Sequence, residues 1–183
     1  MDCRCERPHP PPEDDWRHVV SAVADGVFVT GQPRRGDDGP LTEWESLGVE
    51  RVIDVTDEGS PLPRPSTIDR VWLPTPDDGS ARDPEWLEGI ATAGSGTVLV
   101  HCHMGVARAP SAAFLLLLVR GWNELDAIEA VMRNRPIAAV SYAADALRWS
   151  MGRSVDERRI AALEARRQQL LLETRLALLA AHR

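Results

Sequence analysis

The stretch from Thr97 to Val119, TVLVHCHMGVARAPSAAFLLLLV, predicts a strand, a short loop and a helix in that order. Its first four residues, Thr97–Val100, form a compact apolar run that is typical of a buried strand. Pro110 is predicted to be the first residue of the helix, because the first helical turn does not need the amide hydrogen that proline lacks. The helix is apolar on all sides through Val119, which places it inside a core.

Strands and helices alternate on both sides of this stretch. Further strands are predicted at Val27–Thr30, Arg51–Thr56 and Arg70–Leu73. Helices are predicted after the capping box of Thr42 and Glu45, from Asp83-Pro84 to Gly94, from Asn123 to Pro136, and from Ser141 to Trp149. The third of these helices has Leu125, Ile128, Val131 and Met132 on its apolar face. This order favours an α/β fold: a central, mostly parallel twisted sheet flanked by helices, with ligands bound beyond the carboxyl ends of the strands.

A long helix is predicted at the C-terminus. Ser154 and Glu157 form a second capping box, and no Gly or Pro follows it before Ala181. The apolar residues of this segment form one stripe, namely Ile160, Leu163, Leu170, Leu171, Ala177, Leu178 and Ala181. Such a stripe must pack on another apolar surface. Two alternatives stay open: the helix packs on its own domain, or residues 155–181 pair with those of a second copy and form a homodimer.

The length of 183 residues fits one domain with an appendage. We expect a flexible, proline-rich segment at 1–15, a folded catalytic domain at 16–152 and the amphipathic helix at 153–183. The longest apolar run, Ala112 to Val119, is too short to cross a bilayer, so we expect no membrane partner. The N-terminus lacks the positive and apolar regions of a secretory signal, which predicts a cytoplasmic protein.

All 21 basic residues are arginine and none is lysine. This composition excludes chemistry that requires an amine, such as that of Walker-type NTPases, protein kinases and Schiff-base enzymes. The formal net charge of -7, without clustered arginines and aromatic residues, argues against binding of nucleic acid. Cys3 and Cys5 have no second cluster of ligands nearby, so we expect loose thiols there rather than a metal site or a disulfide.

The loop after the central strand has the chemistry of an anion trap, with Cys102 at the strand end and Arg108 at the start of the helix. The loop residues between them are His103, Met104, Gly105, Val106 and Ala107. Their backbone N–H groups can point inward and form a nest that binds an anion, and the helix dipole adds positive charge there. The planar fork of Arg108 can bind two oxygens of a phosphoryl group, and Gly105 lets the backbone turn inward without a Cβ clash. We therefore expect Cys102 to be a thiolate at neutral pH.

Taken singly, a buried structural cysteine and an arginine in a surface ion pair are the ordinary explanations for two such residues. Taken together, His101-Cys102, Gly105 and Arg108 resemble the His-Cys-x-x-Gly-x-x-Arg signature of the cysteine-dependent protein phosphatases, specifically the small dual-specificity branch. The resemblance extends from Asp25 to Trp149. Thr30-Gly31-Gln32-Pro33 and Arg135-Pro136-Ile137 are further matches to that family.

The resemblance implies hydrolysis of a phosphomonoester without a metal or a cofactor. Cys102 would take the phosphoryl group as a phosphocysteine and water would then remove it, while Arg108 and the loop amides stabilise the transferred group. The leaving group needs a proton, and family members carry the acid after an apolar-Pro-x-x-Asp pattern, which Leu73 to Asp77 fits. Asp77 is therefore the predicted general acid and Asp78 the alternative; the structural explanation is that both aspartates only solvate a turn.

The resemblance also implies supporting residues. His101 would brace the loop through hydrogen bonds rather than act as a base, and the ring of His103 would face the rim. Ala109 stands where many members carry a hydroxyl that helps the thiolate leave in the second step, and Ser111 is a further hydroxyl position. We therefore expect a slow second step. Ser141 stands where many relatives have an asparagine that braces the loop, and the same bracing is expected of it.

The loop lacks the basic residues that relatives acting on polyphosphoinositides place there, so such lipids are not expected as substrates. A shallow site would accept phosphotyrosine on a phosphorylated protein or peptide, with phosphoserine and phosphothreonine as further substrates. Two other functions stay open. One is a catalytically weak, phosphate-binding pseudo-phosphatase or scaffold that recruits a partner through its C-terminal helix; the other is a sulfurtransferase, which also uses a cysteine in an anion-binding loop.

Overall fold

The structure, a computed structural model, describes residues 16–34, 39–59 and 66–181. Within these ranges the strands are β1 (Ser21–Ala24), β2 (Val27–Gly31), β3 (Arg51–Asp54), β4 (Asp69–Trp72) and β5 (Val98–Cys102). The helices are α1 (Gly39–Ser46), α2 (Pro84–Ala93), α3 (Arg108–Val119), α4 (Glu124–Asn134), α5 (Ala143–Met151) and α6 (Glu157–Ala181). The predicted flexible segment 1–15, with Cys3 and Cys5, lies outside the described residues.

The strands form one sheet in the order β1-β2-β5-β3-β4. Only the pairing of β1 with β2 is antiparallel among the described strands, so the predicted α/β fold with a mostly parallel sheet is confirmed. β1 is not among the predicted strands, although the Asp25-Gly26 turn between β1 and β2, with a φ of 40° at Asp25 and 76° at Gly26, is a typical hairpin signal. β5 lies in the middle of the sheet, and its carboxyl end therefore has a parallel strand on each side.

The side chains of β5 alternate between two apolar clusters, one on each face of the sheet. Val98, Val100 and Cys102 belong to the larger cluster, which also contains α3. Leu99 belongs to the smaller cluster, with Trp44 of α1. Because successive residues of a strand point to opposite faces, Cys102 lies on the α3 side and His101 on the α1 side. This alternation decides which neighbours each of the two signature residues can reach.

Three predicted helix starts are wrong by two to four residues. α1 begins at Gly39, so Thr42 lies inside the helix rather than capping it, and Pro40 occupies the first turn. α3 begins at Arg108 rather than Pro110, because the first four N–H groups of a helix have no helical partner and its third residue can therefore be proline. At the start of α6, Asp156 rather than Ser154 provides the cap: its carboxylate accepts a hydrogen bond from the amide of Arg158 at 2.9 Å.

The apolar face of α4 also differs from the predicted one. Leu125 is 37% exposed, whereas Ala127, Ile128, Val131 and Met132 are buried. The side chain of Asn123 accepts a hydrogen bond from the amide of Leu125 at 2.9 Å, which confirms the predicted cap. The cap holds Leu125 in the first turn, on the side of the helix that faces solvent.

The first two thirds of α6 pack on α4 and α5 of the same chain through buried Ile160, Leu163 and Leu170. This contact is the first of the two alternatives for the predicted stripe, although Ala177 in that stripe is exposed. Toward the C-terminus, Leu172, Leu176 and Leu179 are each more than half exposed, and pairing of two copies through this helix stays a prediction. None of the described helices is long and apolar enough to cross a membrane.

Candidate active site

Cys102 is the last residue of β5, and the loop 103–107 turns around its sulfur before α3 begins. The amide of Gly105 donates a hydrogen bond to Sγ of Cys102 at 3.2 Å. Cys102 is only 2% exposed, so its sulfur lies at the bottom of the loop. The amide and the N-terminal end of α3 both favour a negative charge at this place, since unpaired helical N–H groups carry partial positive charge.

Gly105 adopts a φ of +69°, in the left-handed region. A Cβ atom at this position would collide with the guanidinium of Arg135 and would lie 2.8 Å from the carbonyl carbon of Thr30. The conformation and the crowding both require glycine here. The predicted role of Gly105, to let the backbone turn inward, therefore agrees with the geometry.

Gly105→Ala is expected to destabilise the protein by about 2 kcal/mol or more, because strain at positive φ adds to the collision with Thr30 and Arg135. The matched control is Gly121→Ala, since Gly121 also has a positive φ but a Cβ there would meet nothing within 4 Å. The free energy of unfolding, measured with denaturant, tests this. Equal losses for the two variants would show that crowding in the loop contributes nothing.

Arg135 braces the loop from below, a role that sequence reasoning missed. The side chain is fully buried, and its Nε donates to the carbonyl of Gly105 at 2.6 Å. Its other acceptors are the carbonyls of Trp16, Val19, Val29 and Met104 and the hydroxyl of Ser21. Burial lowers the pKa of Arg135 to about 10, so the guanidinium stays charged at neutral pH. It adds a permanent positive charge behind the loop that carries Cys102.

Arg108 is 3% exposed, and its Nη1 donates to Oδ1 of Asp57 at 2.7 Å and to the carbonyl of Thr75 at 3.0 Å. Burial opposes its charge, but the hydrogen bond to Asp57 and the charges of Cys102 and Asp77 together raise the pKa of Arg108. Its Nε is buried and has no hydrogen-bond partner in the part of the chain that the structure describes. The guanidinium is thus held through Nη1 and retains an unpaired donor for a ligand oxygen.

Asp57 was not among the predicted site residues. The hydrogen bond from Arg108 lowers the pKa of Asp57, so this carboxylate is charged at neutral pH and orients the guanidinium. A signal was present in the sequence, because Asp57 follows β3 by three residues and β3 is a parallel neighbour of β5. Residues just after neighbouring parallel strands meet at one edge of the sheet.

The two candidate acids lie in different environments. Oδ2 of Asp77 is 3.5 Å from Nε of Arg108, and Oδ1 accepts a hydrogen bond from the hydroxyl of Tyr142 at 3.1 Å. Asp78 instead accepts hydrogen bonds from Ser80 and Arg82, which lower the pKa of Asp78 to about 2. A carboxylate held in this way is a poor proton donor at neutral pH. Asp77 is the aspartate that faces Arg108, in agreement with the preference for it over Asp78.

The hydrogen bonds predicted between His101 and the loop are absent. Neither ring nitrogen of His101 has a hydrogen-bond partner among the described residues, and its Nε2 lies 3.8 Å from Oδ1 of Asp54. The ring stacks on Trp44 with 6.2 Å between the centroids. Burial lowers the pKa of His101 to about 4, so the ring is neutral at neutral pH. The correction follows from the strand period, which turns His101 to the face opposite Cys102.

Ser111 links the loop to α5 rather than reaching the sulfur. Its hydroxyl donates to the carbonyl of Ala107 at 2.7 Å and accepts from the amide of Tyr142 at 3.1 Å. Ser141 is exposed, and no hydrogen bond of its side chain is found within the described ranges, so the bracing predicted for it is not seen. A backbone contact takes its place, since the amide of Ala139 donates to the carbonyl of Val106 at 2.8 Å.

His103 lies beside β2 at the edge of the loop. Its Nδ1 is 3.1 Å from Oε1 of Gln32, and its carbonyl accepts from the amide of Gln32 at 3.0 Å. Met104 is 40% exposed at the rim. In residues 16–34, 39–59 and 66–181, no three His, Cys, Asp or Glu side chains are grouped so that they could hold a metal ion. The guanidinium of Arg108 thus interacts with the charges of both Cys102 and Asp77.

The fold of the chain is that of solved dual-specificity phosphatases. Human DUSP28 is similar at a TM-score of 0.63 and 20% identity, over 80% of this chain and 97% of that one. The Yvh1 phosphatase domain from Chaetomium thermophilum has a TM-score of 0.55 and 21% identity, over 75% and 99%. PTPMT1 in complex with PI(5)P has a TM-score of 0.55 and 17% identity, over 87% and 99%.

At these identities the likeness establishes the fold alone. No protein-family model and no curated protein matches the sequence. The argument for a function therefore depends on the chemistry of the residues around Cys102.

Proposed function

We propose that the protein is a metal-independent phosphomonoester hydrolase, a protein phosphatase that acts on phosphotyrosine and also on phosphoserine and phosphothreonine through a phosphocysteine. The observation that carries this proposal is the arrangement of three groups. Sγ of Cys102 accepts a hydrogen bond from the Gly105 amide at 3.2 Å, and Nε of Arg108, which has no hydrogen-bond partner among the described residues, lies 3.5 Å from Asp77. A nucleophile, a cation for the phosphoryl oxygens and an acid for the leaving group are the groups that the reaction needs.

In the first step, Sγ of Cys102 attacks phosphorus as the bond from phosphorus to the leaving oxygen breaks. Arg108 and the loop amides stabilise the charge on the equatorial oxygens. Asp77 gives its proton to the leaving oxygen. The hydrogen bond that Nη1 donates to Asp57 keeps the guanidinium in place during the transfer, because it fixes the side of Arg108 that does not face the substrate.

In the second step, water attacks the phosphocysteine and Asp77, now a carboxylate, accepts a proton from it. The sulfur leaves as a thiolate, which the Gly105 amide and the charge of Arg135 stabilise. The chemistry of this step requires a reduced thiol. A reducing compartment such as the cytoplasm is therefore the proposed location.

The substrate class follows from the charges at the rim. The side chains of Asp57 and Asp77 are each about half exposed beside the guanidinium of Arg108. A second phosphate on the substrate would approach these carboxylates, which disfavours polyphosphorylated ligands. A protein or peptide with one phosphorylated side chain has no second phosphate that would approach these carboxylates. PTPMT1 was solved with PI(5)P, so this lipid belongs in the substrate panel.

The test is a panel of p-nitrophenyl phosphate, phosphopeptides and vesicles containing PI(5)P, assayed with EDTA present. Hydrolysis of the aryl phosphate and of phosphotyrosine peptides that survives EDTA is the expected result. Loss of activity on chelation would contradict the metal-independent mechanism. Binding of vanadate without turnover would favour the pseudo-phosphatase, and sulfur transfer from thiosulfate without ester hydrolysis would favour the sulfurtransferase.

The second step is expected to be slow, because Ala109 has no hydroxyl and the Ser111 hydroxyl is already bonded to Ala107 and Tyr142. Rapid-quench assays with p-nitrophenyl phosphate should therefore show a burst of nitrophenol that approaches the enzyme concentration. Ala109→Ser should shrink this burst and raise the steady-state rate. Ala112→Ser is the matched control, since Ala112 is equally buried in α3. Wild-type nitrophenol release that is linear from the start would contradict the expectation.

A further inference from the structure

Tyr142, the one tyrosine of the chain, lies directly before α5 and contacts the segment 74–82, which is called the acid loop below because it carries Asp77. Tyr142 is 4% exposed. Its hydroxyl donates to Oδ1 of Asp77 at 3.1 Å. A buried phenol normally needs a hydrogen-bond partner, and here the partner is the predicted general acid.

The ring of Tyr142 is held against the acid loop by Arg82. Cζ of Arg82 lies 4.1 Å from the centroid of the ring, a cation–π contact, and the Arg82 side chain is 1% exposed. The guanidinium donates to the hydroxyl of Thr75, the carbonyl of Pro76, the carbonyl and hydroxyl of Ser80, and the carboxylate of Asp78. The backbone amide of Arg82 donates to Asp145 of α5 at 2.9 Å. The Arg82 side chain therefore bonds to the acid loop on both sides of Asp77, and the Arg82 amide joins that loop to α5.

Tyr142 also connects the acid loop with the loop around Cys102. Its amide donates to the hydroxyl of Ser111 at 3.1 Å, and that hydroxyl donates to the carbonyl of Ala107 at 2.7 Å. Ala107 belongs to the loop around Cys102. Tyr142 thus links Asp77, the predicted acid, to the loop around Cys102, the predicted nucleophile.

The two oxygens of Asp77 have different partners. Oδ1 accepts the hydrogen bond from Tyr142, whereas Oδ2 lies 3.5 Å from Nε of Arg108. In a protonated carboxyl group one oxygen carries the proton and the other is an acceptor. The phenol donates a hydrogen bond to Oδ1, whereas Nε of Arg108, at 3.5 Å, makes none to Oδ2. The acceptor is therefore Oδ1 and the proton belongs on Oδ2.

We propose that Tyr142 is a positioning residue for the general acid: its hydroxyl holds Oδ1 of Asp77 and so directs the proton on Oδ2 to the leaving oxygen of the substrate. This inference rests on the proposed function. As the bond between Sγ and phosphorus forms, the bond from phosphorus to the leaving oxygen breaks, and its electron pair stays on that oxygen and takes the proton from Oδ2. Asp77 remains as a carboxylate, which the hydrogen bond from Tyr142 stabilises. Water returns the proton in the second step.

The decisive variant is Tyr142→Phe, which keeps the ring and its contact with Arg82 and removes one hydroxyl. Its kcat/KM is compared for two substrates, p-nitrophenyl phosphate, whose leaving group hardly needs a proton, and phenyl phosphate, whose leaving group needs one. We expect kcat/KM to fall about tenfold for phenyl phosphate and less than about twofold for p-nitrophenyl phosphate. Equal losses for both substrates would overturn the proposal, since a general loosening of the site does not depend on the leaving group.

Two further variants make the comparison specific. Ser150→Ala removes a hydroxyl from α5, where among the described residues it donates only to the carbonyl of Leu147, and kcat/KM should change for neither substrate. In an Asp77→Asn background, adding Tyr142→Phe should have no further effect on phenyl phosphate, because the tyrosine acts through Asp77. An additional loss of several-fold in the double variant would contradict the proposal.

A readout without turnover separates this inference from the proposed function. Burial raises the pKa of Tyr142, Arg82 opposes the increase, and Asp77 adds to it. Because the chain has one tyrosine, ultraviolet absorbance against pH titrates Tyr142 alone. Asp77→Asn is expected to lower this pKa, and an unchanged titration would overturn the proposal. If the wild type hydrolysed no phosphoester but the titration shifted, the proposed function would fail while the contact between Tyr142 and Asp77 stood.

Discussion

Cys102→Ser is expected to abolish phosphoester hydrolysis, with kcat reduced by roughly ten thousandfold or more, and to leave the binding of phosphoanions intact. Serine keeps the shape of the residue, but its hydroxyl is not ionised near neutral pH and is a far weaker nucleophile than a thiolate. The amide of Gly105 and the guanidinium of Arg108 do not depend on sulfur for their positions, since Asp57 and Arg135 hold them.

The measurement is turnover of p-nitrophenyl phosphate by wild type and by Cys102→Ser, purified in the same way, together with calorimetric titration of vanadate or phosphate. Matching thermal unfolding curves would confirm that both chains are folded. Residual hydrolysis by the serine variant at more than about one hundredth of the wild-type rate would show that another group carries the reaction, because loss of a nucleophile costs far more than this.

Arg108→Lys is expected to lower kcat/KM by about a thousandfold, a loss of the size seen when a transition-state arginine is removed from a phosphoryl-transfer enzyme. Lysine keeps the positive charge but has no planar fork that could bond Asp57 through one nitrogen and substrate oxygens through the others. The variant should therefore bind phosphate weakly and transfer it slowly. The carboxylate of Asp57 would also lose its short contact of 2.7 Å with the guanidinium.

Arg133→Lys is the matched control, because Arg133 is 60% exposed on α4 and pairs only with Glu129, one turn away, among the described acidic residues. Its kcat/KM should stay within about twofold of wild type, as expected for an exposed ion pair. If the two lysine variants were equally active, a positive charge alone would be sufficient at position 108, and the proposed role of the guanidinium fork would be wrong.

Several elements of the fold were predictable because their signals are local. β2, β5 and the cap of α4 lie where apolar runs, glycine, proline and Asn123 indicate them. The missed elements have weak or competing local signals. β1 is four residues long with two alanines, and it is stabilised by pairing with β2 rather than by its own composition.

The helix starts at Thr42 and Ser154 were wrong for a related reason. A capping box is a pattern that several nearby residues can satisfy, and the residue that caps depends on where the rest of the chain directs the helix axis. Packing of α6 on α4 and α5 places the first turn at Glu157, so that Asp156 becomes the cap. Leu125 is exposed because the core covers another face of α4, the one that carries Ala127, Ile128, Val131 and Met132.

The sequence by itself determined the proposed nucleophile, the proposed cation and the loop between them, because strand, loop and helix are contiguous from Thr97 to Val119 and Gly105 sets the turn through its own backbone. Only the tertiary structure decided which groups orient this loop. Asp57 reaches Arg108 over 51 residues, Tyr142 reaches Asp77 over 65, and Arg135 reaches Gly105 over 30. No local spacing encodes such contacts, since they arise when parallel strands end at one edge of the sheet and helices pack against it.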